Sequence, residues 1–171
     1  MPIIGIPESG RTRVYRKIVA QLRTDPVLEA AGIDWIPWDG STKHVNPLTV
    51  RRPTIGLHPS LGPMRITSED AQTGDMEIVV RMCLPGSFDA CDCLDLWTAI
   101  EQAMYPFNER EKQMAFQASL VNCSGAGSDA EIGFVRFDRP ASIEAQFQDG
   151  AFAQFVCNGS MSISIQRSIN P

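Results

Sequence analysis

The clearest pattern of apolar and polar positions runs from Asp75 to Pro106. In Asp75–Leu84, Met76, Ile78, Val80, Met82 and Leu84 recur at every second position, and Glu77 and Arg81 fall between them. This period, with β-branched residues at its centre, predicts a strand with one face in a core. Pro85-Gly86 stops it. The period then changes to that of a helix: Cys93, Leu96, Trp97, Ile100, Ala103 and Met104 form one stripe, and Asp92, Asp95, Thr98, Glu101 and Gln102 face the other way. Ser87 or Asp89 supplies a cap, the acidic first turn suits the helix dipole, and Pro106 ends the helix.

The same reading extends along the rest of the chain. Val14, Ile18 and Leu22 predict a helix from Gly10, capped by Ser9 and bearing Arg11, Arg13, Arg16, Lys17 and Arg23. Thr24-Asp25-Pro26 predicts a short second helix with Pro26 in its first turn, stopped by Gly32. Residues 33–72 read as a long loop-rich insertion carrying Trp35 and Trp38, with short strands only at 54–58 and 64–67. Residues 108–123 fit two periods. A helical stripe of Arg110, Met114, Ala118 and Val121 competes with alternation at Met114, Phe116, Ala118 and Leu120, and the charged start and low β-branched content favour helix. Beyond Ser128 the signal is β, in four runs at 132–137, 143–147, 152–157 and 160–167. Asp149-Gly150 and Asn158-Gly159 supply tight-hairpin residues between the later runs. Together these elements predict one α+β domain over residues 1–171, with a mostly antiparallel sheet of four strands or slightly more, flanked by two to three helices.

Composition narrows the function classes. Of 171 residues, 43% are hydrophobic and 20% charged, as in an ordinary globular domain, and the net charge of −5 argues against a general nucleic-acid binder. No run reaches the roughly 20 apolar residues of a membrane-spanning helix. Five irregularly spaced cysteines fit free thiols in a reducing compartment better than a disulfide framework.

Three chemistries can be weighed on particular residues. Gly5–Thr12 approaches the phosphate-binding pattern G-x-x-x-x-G-K-[ST] ahead of a helix, the basis of an alternative reading as a small nucleotide-binding enzyme. Against it stand an arginine in place of the lysine, only Ile3 and Ile4 as a preceding strand, and no later strand ending in a magnesium-binding aspartate. Cys91-x-Cys93 on a helix directs its two sulfurs about 200° apart, a poor start for a zinc site. Asp89, Asp92 and Asp95 read as an exposed acidic helix face, and His44 and His58 have no catalytic partner motif. No catalytic, cofactor-binding or metal-ligating residue is assigned.

The arginine-rich first helix running into Leu22–Leu28, the strand opening at Pro53–Leu57, and the Asp75–Leu84 strand carry a wider pattern. It continues with the helix Cys93–Tyr105, the strand end Phe134–Pro140 and the final run Gly159–Gln166. From residue 10 to 168 this order resembles the tail-terminator and head-to-tail joining (neck) proteins of tailed bacteriophages. The resemblance implies a structural virion protein without catalysis, assembled in the host cytoplasm into a ring, expected to be a hexamer, at the head–tail junction. It implies as partners further copies of the chain, the tail tube and the neck or connector proteins, with DNA passing the lumen unbound and no membrane contact. Trp35, Trp38, Arg136, Arg139 and Phe155 are the expected subunit-contact residues on loops and sheet edges, a C-terminal edge strand among them. Arg13, Arg16 and Lys17 are expected to meet a neighbour's acidic face.

Overall fold

A computed structural model of the chain describes residues 9–36, 51–63, 65–68, 71–105, 109–124, 131–148 and 151–168. The elements in order are α1 (Gly10–Thr24), α2 (Pro26–Ala30), β1 (Asp34–Ile36), β2 (Thr54–Leu61), β3 (Arg65–Ser68), β4 (Ala71–Pro85), α3 (Ala90–Met104), α4 (Arg110–Ser124), β5 (Glu131–Gln148) and β6 (Ala151–Ser168). Their strands form one six-stranded sheet in the order β1-β2-β4-β6-β5, with β3 also pairing β4. The β1–β2 pair is parallel and all other pairs are antiparallel.

The sheet is therefore larger than four strands, and mixed. Two parts of the sheet differ from the sequence expectation, one adding a strand and one merging runs. The 33–72 region contributes β1, β2 and β3 to the sheet, and Trp35 lies on β1 opposite Ile55 of β2. Pro59 hides this in the sequence, but it sits beyond the three residues that β2 shares with β1, where a missing N–H costs no β1–β2 ladder bond. The four C-terminal runs are two strands of 18 residues each, with β5 absorbing Pro140 at a register shift between Arg139 and Ser142. Gln148 pairs with Ala151, which leaves the two residues Asp149-Gly150 to join the strands; their own conformation lies outside the described residues.

Asn158-Gly159 is no hairpin. Asn158 pairs with Arg81 and Gly159 with Val80 in mid-strand. Gly159 is required for a different reason: it lies directly beneath the Trp97 indole, and a Cβ built there would lie 2.7 Å from both Cζ2 and Cζ3 of that ring. β6 is also not an edge. It runs between β4 and β5, contrary to the expectation of a C-terminal edge strand; β1 and β5 end the main strand order, and β3 pairs with β4 off that path.

The helices cover one face. Met76, Ile78, Val80, Met82 and Leu84 of β4 are all buried, and register places them beside Ile163, Met161, Gly159, Cys157 and Phe155 of β6. Val14, Ile18 and Leu22 of α1 and the predicted α3 stripe close over them as one cluster. The caps follow the sequence closely. Ser9 accepts from the Thr12 N–H at 3.2 Å, and Asp25 accepts from Val27 and Leu28 while Pro26 opens α2. At α3, Asp89 and Asp92 form a reciprocal capping box. Gly32, with φ of 64°, turns the chain from α2 into β1.

α4 is a helix, as expected, but on a different face. Arg110, Met114 and Ala118 are exposed, whereas Leu120 is fully buried and Gln113 and Phe116 are partly buried. The spacing 113, 116, 120 is equally helical and keeps the Arg110 charge in water.

Candidate subunit interface

α1 divides its cations between two flanks. Counting 100° per residue, Arg16 and Arg23 are seven residues and two turns apart, so they share one flank with Tyr15 and Val19 beside them. Arg13 and Lys17 fall on the other flank. Against the first flank lies the β1 rim of the sheet. Tyr15, Arg16, Val19, Ala20, Arg23, Thr24, Trp35, Ile36 and Leu57 enclose an open groove of about 430 Å³. Its floor is apolar, from Val19, Ile36, Leu57 and the partly buried Trp35, and its rim carries two guanidinium groups.

Tyr15 fixes the geometry. Its hydroxyl donates to the Leu57 carbonyl at 2.9 Å, one residue beyond the last β2 position paired with β1. A strand carbonyl there would otherwise lack a ladder partner from β1, and the phenol ties α1 to the sheet at that point. Burial raises the Tyr15 pKa, with the Arg23 charge opposing, so the hydroxyl stays a proton donor through the physiological range.

The predicted contact residues thus separate. The structure brings Arg16 and Trp35 together in the groove. Arg13 and Lys17 lie off it, and Trp38 is outside the described residues. Arg136 and Arg139 belong to β5, at the opposite end of the strand order, in register with Ser162 and Ser160. Phe155 is partly buried and packs against the hydrophobic core from β6. Arg23 was missed as a member of the site, although its seven-residue spacing from Arg16 is visible in the sequence.

A second groove, of about 270 Å³, lies between α2 and α3. Val27, Leu28, Leu84, Phe88 and Leu96 line it, with Asp92 and Asp95 as its charged members. The two grooves therefore have opposite charge. Of the remaining candidates, Asp89 and Asp92 cap α3. Cys91 is exposed and Cys93 buried, so they do not converge, and no group of three potential metal ligands occurs among the described residues. Burial pushes the Cys93 thiol up to about 11, reinforced by Asp92 and Asp89, and the Cys157 thiol up to about 12, reinforced by Cys93. Thiols in this state are poor nucleophiles at neutral pH. Of the Gly5–Thr12 segment, residues 5–8 lie outside the described residues, while Ser9, Gly10 and Thr12 form the start of α1.

On the sheet face away from the helices, His58 reaches back over Gly56, whose added Cβ would lie 3.2 Å from His58 Nε2. Burial lowers the His58 pKa from 6.5, and the Arg81 charge lowers it further. The unfolded chain then binds the imidazole proton more readily than the folded one. Stability is therefore unaffected by this group well above pH 6.5 and falls as pH drops through the unfolded value. His58→Gln should flatten that acid limb in thermal melts between pH 7.5 and about 5.5, and an unchanged limb would assign it to other groups.

No protein-family model matches the chain, and no curated protein matches it. No helix among the described residues is long and apolar enough to cross a membrane.

Proposed function

We propose that this chain is a structural virion protein of a tailed bacteriophage, a ring-forming tail terminator or neck component without catalytic activity. The observation that carries the reading is the groove between α1 and β1. It joins Trp35 to a pair of arginines over an apolar floor, and tryptophan and arginine are the residue types that most often anchor protein–protein contacts. Two features support it. The element order from residue 10 to 168 is the one on which the resemblance rests, and the net charge of −5 per subunit would give a ring an acidic lumen past which DNA slides.

In this reading the ring caps the tail tube, stops its growth and presents a docking surface to the head. The finer assignments, hexamer and head–tail junction, belong to the proposal. The test is the native mass of the purified chain together with particle imaging of the same sample. A closed ring of about six subunits is expected. A strictly monomeric chain, or one whose melting temperature rises with ATP or GTP plus Mg²⁺, would overturn it. A nucleotide at 100 times its dissociation constant stabilises a fold by about 2.7 kcal/mol, which a melt detects readily.

A further inference from the structure

β5 ends the main strand order, and among the described residues its outer edge has no pairing strand. An edge of 18 residues offers N–H and C=O groups to any second strand unless the sequence guards it. The first part of β5 is guarded. Between Ile132 and Ser142 its register with β6 shifts three times, each time with an extra residue on β5, and Pro140 lies within the last shift. Such bulges break the regular spacing that an incoming strand needs.

The last part of β5 carries no such device. From Ser142 to Gln148 every residue pairs in turn with β6, and the shift between Gln146 and Phe147 puts its extra residue, Ala153, on β6. The stretch contains no Pro, Gly or Lys and a single charge, Glu144. Ile143, Ala145 and Phe147 alternate onto one face: Ile143 packs against the core, Ala145 is exposed, and Phe147 keeps 66% of its surface exposed. Glu144 and Gln146 take the other face.

Outward from Ala145 the stretch is symmetric in kind. Glu144 and Gln146 come first on either side, then Ile143 and Phe147. An identical antiparallel strand, turned about a two-fold axis at Ala145, sets Ile143 opposite Phe147 twice and Glu144 opposite Gln146 twice. Aromatic side chains opposite β-branched ones stabilise a strand pair. Gln146 Oε1 already accepts from Gln154 Nε2 at 2.6 Å, so the amide offers its N–H groups to the facing Glu144 carboxylate. Other registers are worse. An axis at Glu144 opposes two carboxylates, and an axis at Gln146 loses both Ile143–Phe147 pairs.

We infer that Ser142–Gln148 of β5 pairs antiparallel with the same segment of a second copy of this chain, about a two-fold axis at Ala145. The contact is isologous and continues the sheet from one subunit into the next. It closes at two copies, so it is not the contact that builds a ring. It therefore stands apart from the ring reading: without a ring it makes a dimer, and with one it joins two rings.

The residue on the axis provides the test. Ala145 faces its own copy there, with the two Cβ atoms about 5 Å apart. Ala145→Lys and Ala145→Glu each oppose like charges at that point. Ala145 is exposed, so circular dichroism and melting temperature should stay near those of the wild type. In sedimentation velocity each variant alone should have half the wild-type mass, with the dissociation constant of the contact raised at least about tenfold. An equimolar mixture should recover the wild-type mass, because lysine then faces glutamate.

A wild-type dimer that the variants split and the mixture restores would support this contact and overturn the ring. Paired rings that the variants separate into single rings would support both. A closed ring whose mass both variants retain would overturn this contact and leave the ring reading standing, and a monomeric wild type would overturn both. Failure of the mixture to restore the mass, with both variants folded, would overturn the axis at Ala145.

Discussion

Gly159→Ala should unfold at a markedly lower temperature than the wild type. The Cβ would be driven into the six-membered ring of Trp97, a side chain only 6% exposed. Neither partner can give way easily. Gly159 is held in register by its β4 neighbour Val80, and the indole is tied to Glu101 by a 2.7 Å hydrogen bond from Nε1. Overpacking of this kind costs about 1–3 kcal/mol, and with both sides fixed the upper part of that range is expected, a fall in Tm of roughly 5–10 °C for a domain of this size. The colliding atoms Cη2, Cζ2 and Cζ3 all belong to the part of the indole that a phenylalanine lacks or places elsewhere. In the Trp97→Phe background, the added methyl should therefore cost much less. A double-mutant cycle measures the coupling. Equal costs in both backgrounds would place the effect in the strand backbone and not in this contact.

That contact also shows where sequence reading stops. Asn158-Gly159 has the composition of a tight turn because glycine and asparagine adopt turn conformations easily, but glycine is equally demanded wherever a helix presses a large ring against a strand. The two demands leave the same residue in the sequence, and only the partner, Trp97, distinguishes them. By contrast, every member of the α3 stripe and the Val14, Ile18, Leu22 face of α1 were legible, because burial there follows one local period. β1 was not legible. Three residues, Asp34–Ile36, are too few to show a period, and their status as a strand depends on β2 lying parallel beside them.

The groove was half legible for the same reason. Arg16 and Arg23 share a flank of α1 by local arithmetic, but their nearness to Trp35 depends on how α1 sits on the sheet, which the Tyr15–Leu57 hydrogen bond joins across 42 residues. Had Trp35 stayed on an insertion, its partnership with the cations would have had no structural basis. The pairing of β1 with β2 thus matters to the proposed function as well as to the fold.

The face of α4 offers the sharpest remaining check, because two helical stripes compete on one segment. If Leu120 points into the core, Leu120→Ala removes a side chain with 0% exposure and should cost about 2–5 kcal/mol, as large-to-small core substitutions do. Met114 is 61% exposed, and Met114→Lys should change stability by no more than about 0.5 kcal/mol. The stripe of Arg110, Met114, Ala118 and Val121 demands the opposite ranking, since a lysine placed in the core would be prohibitive and an exposed Leu120 would be dispensable. Urea melts of the two variants decide between these orientations. The measured midpoints also bear on α1, because α1 packs against α4, and rotating α4 would bring Met114 in place of Phe116 and Leu120 toward the core that Val14 and Ile18 share. A large loss for Leu120→Ala with near-neutrality of Met114→Lys would fix α4, and with it the support beneath the helix that carries Arg16 and Arg23.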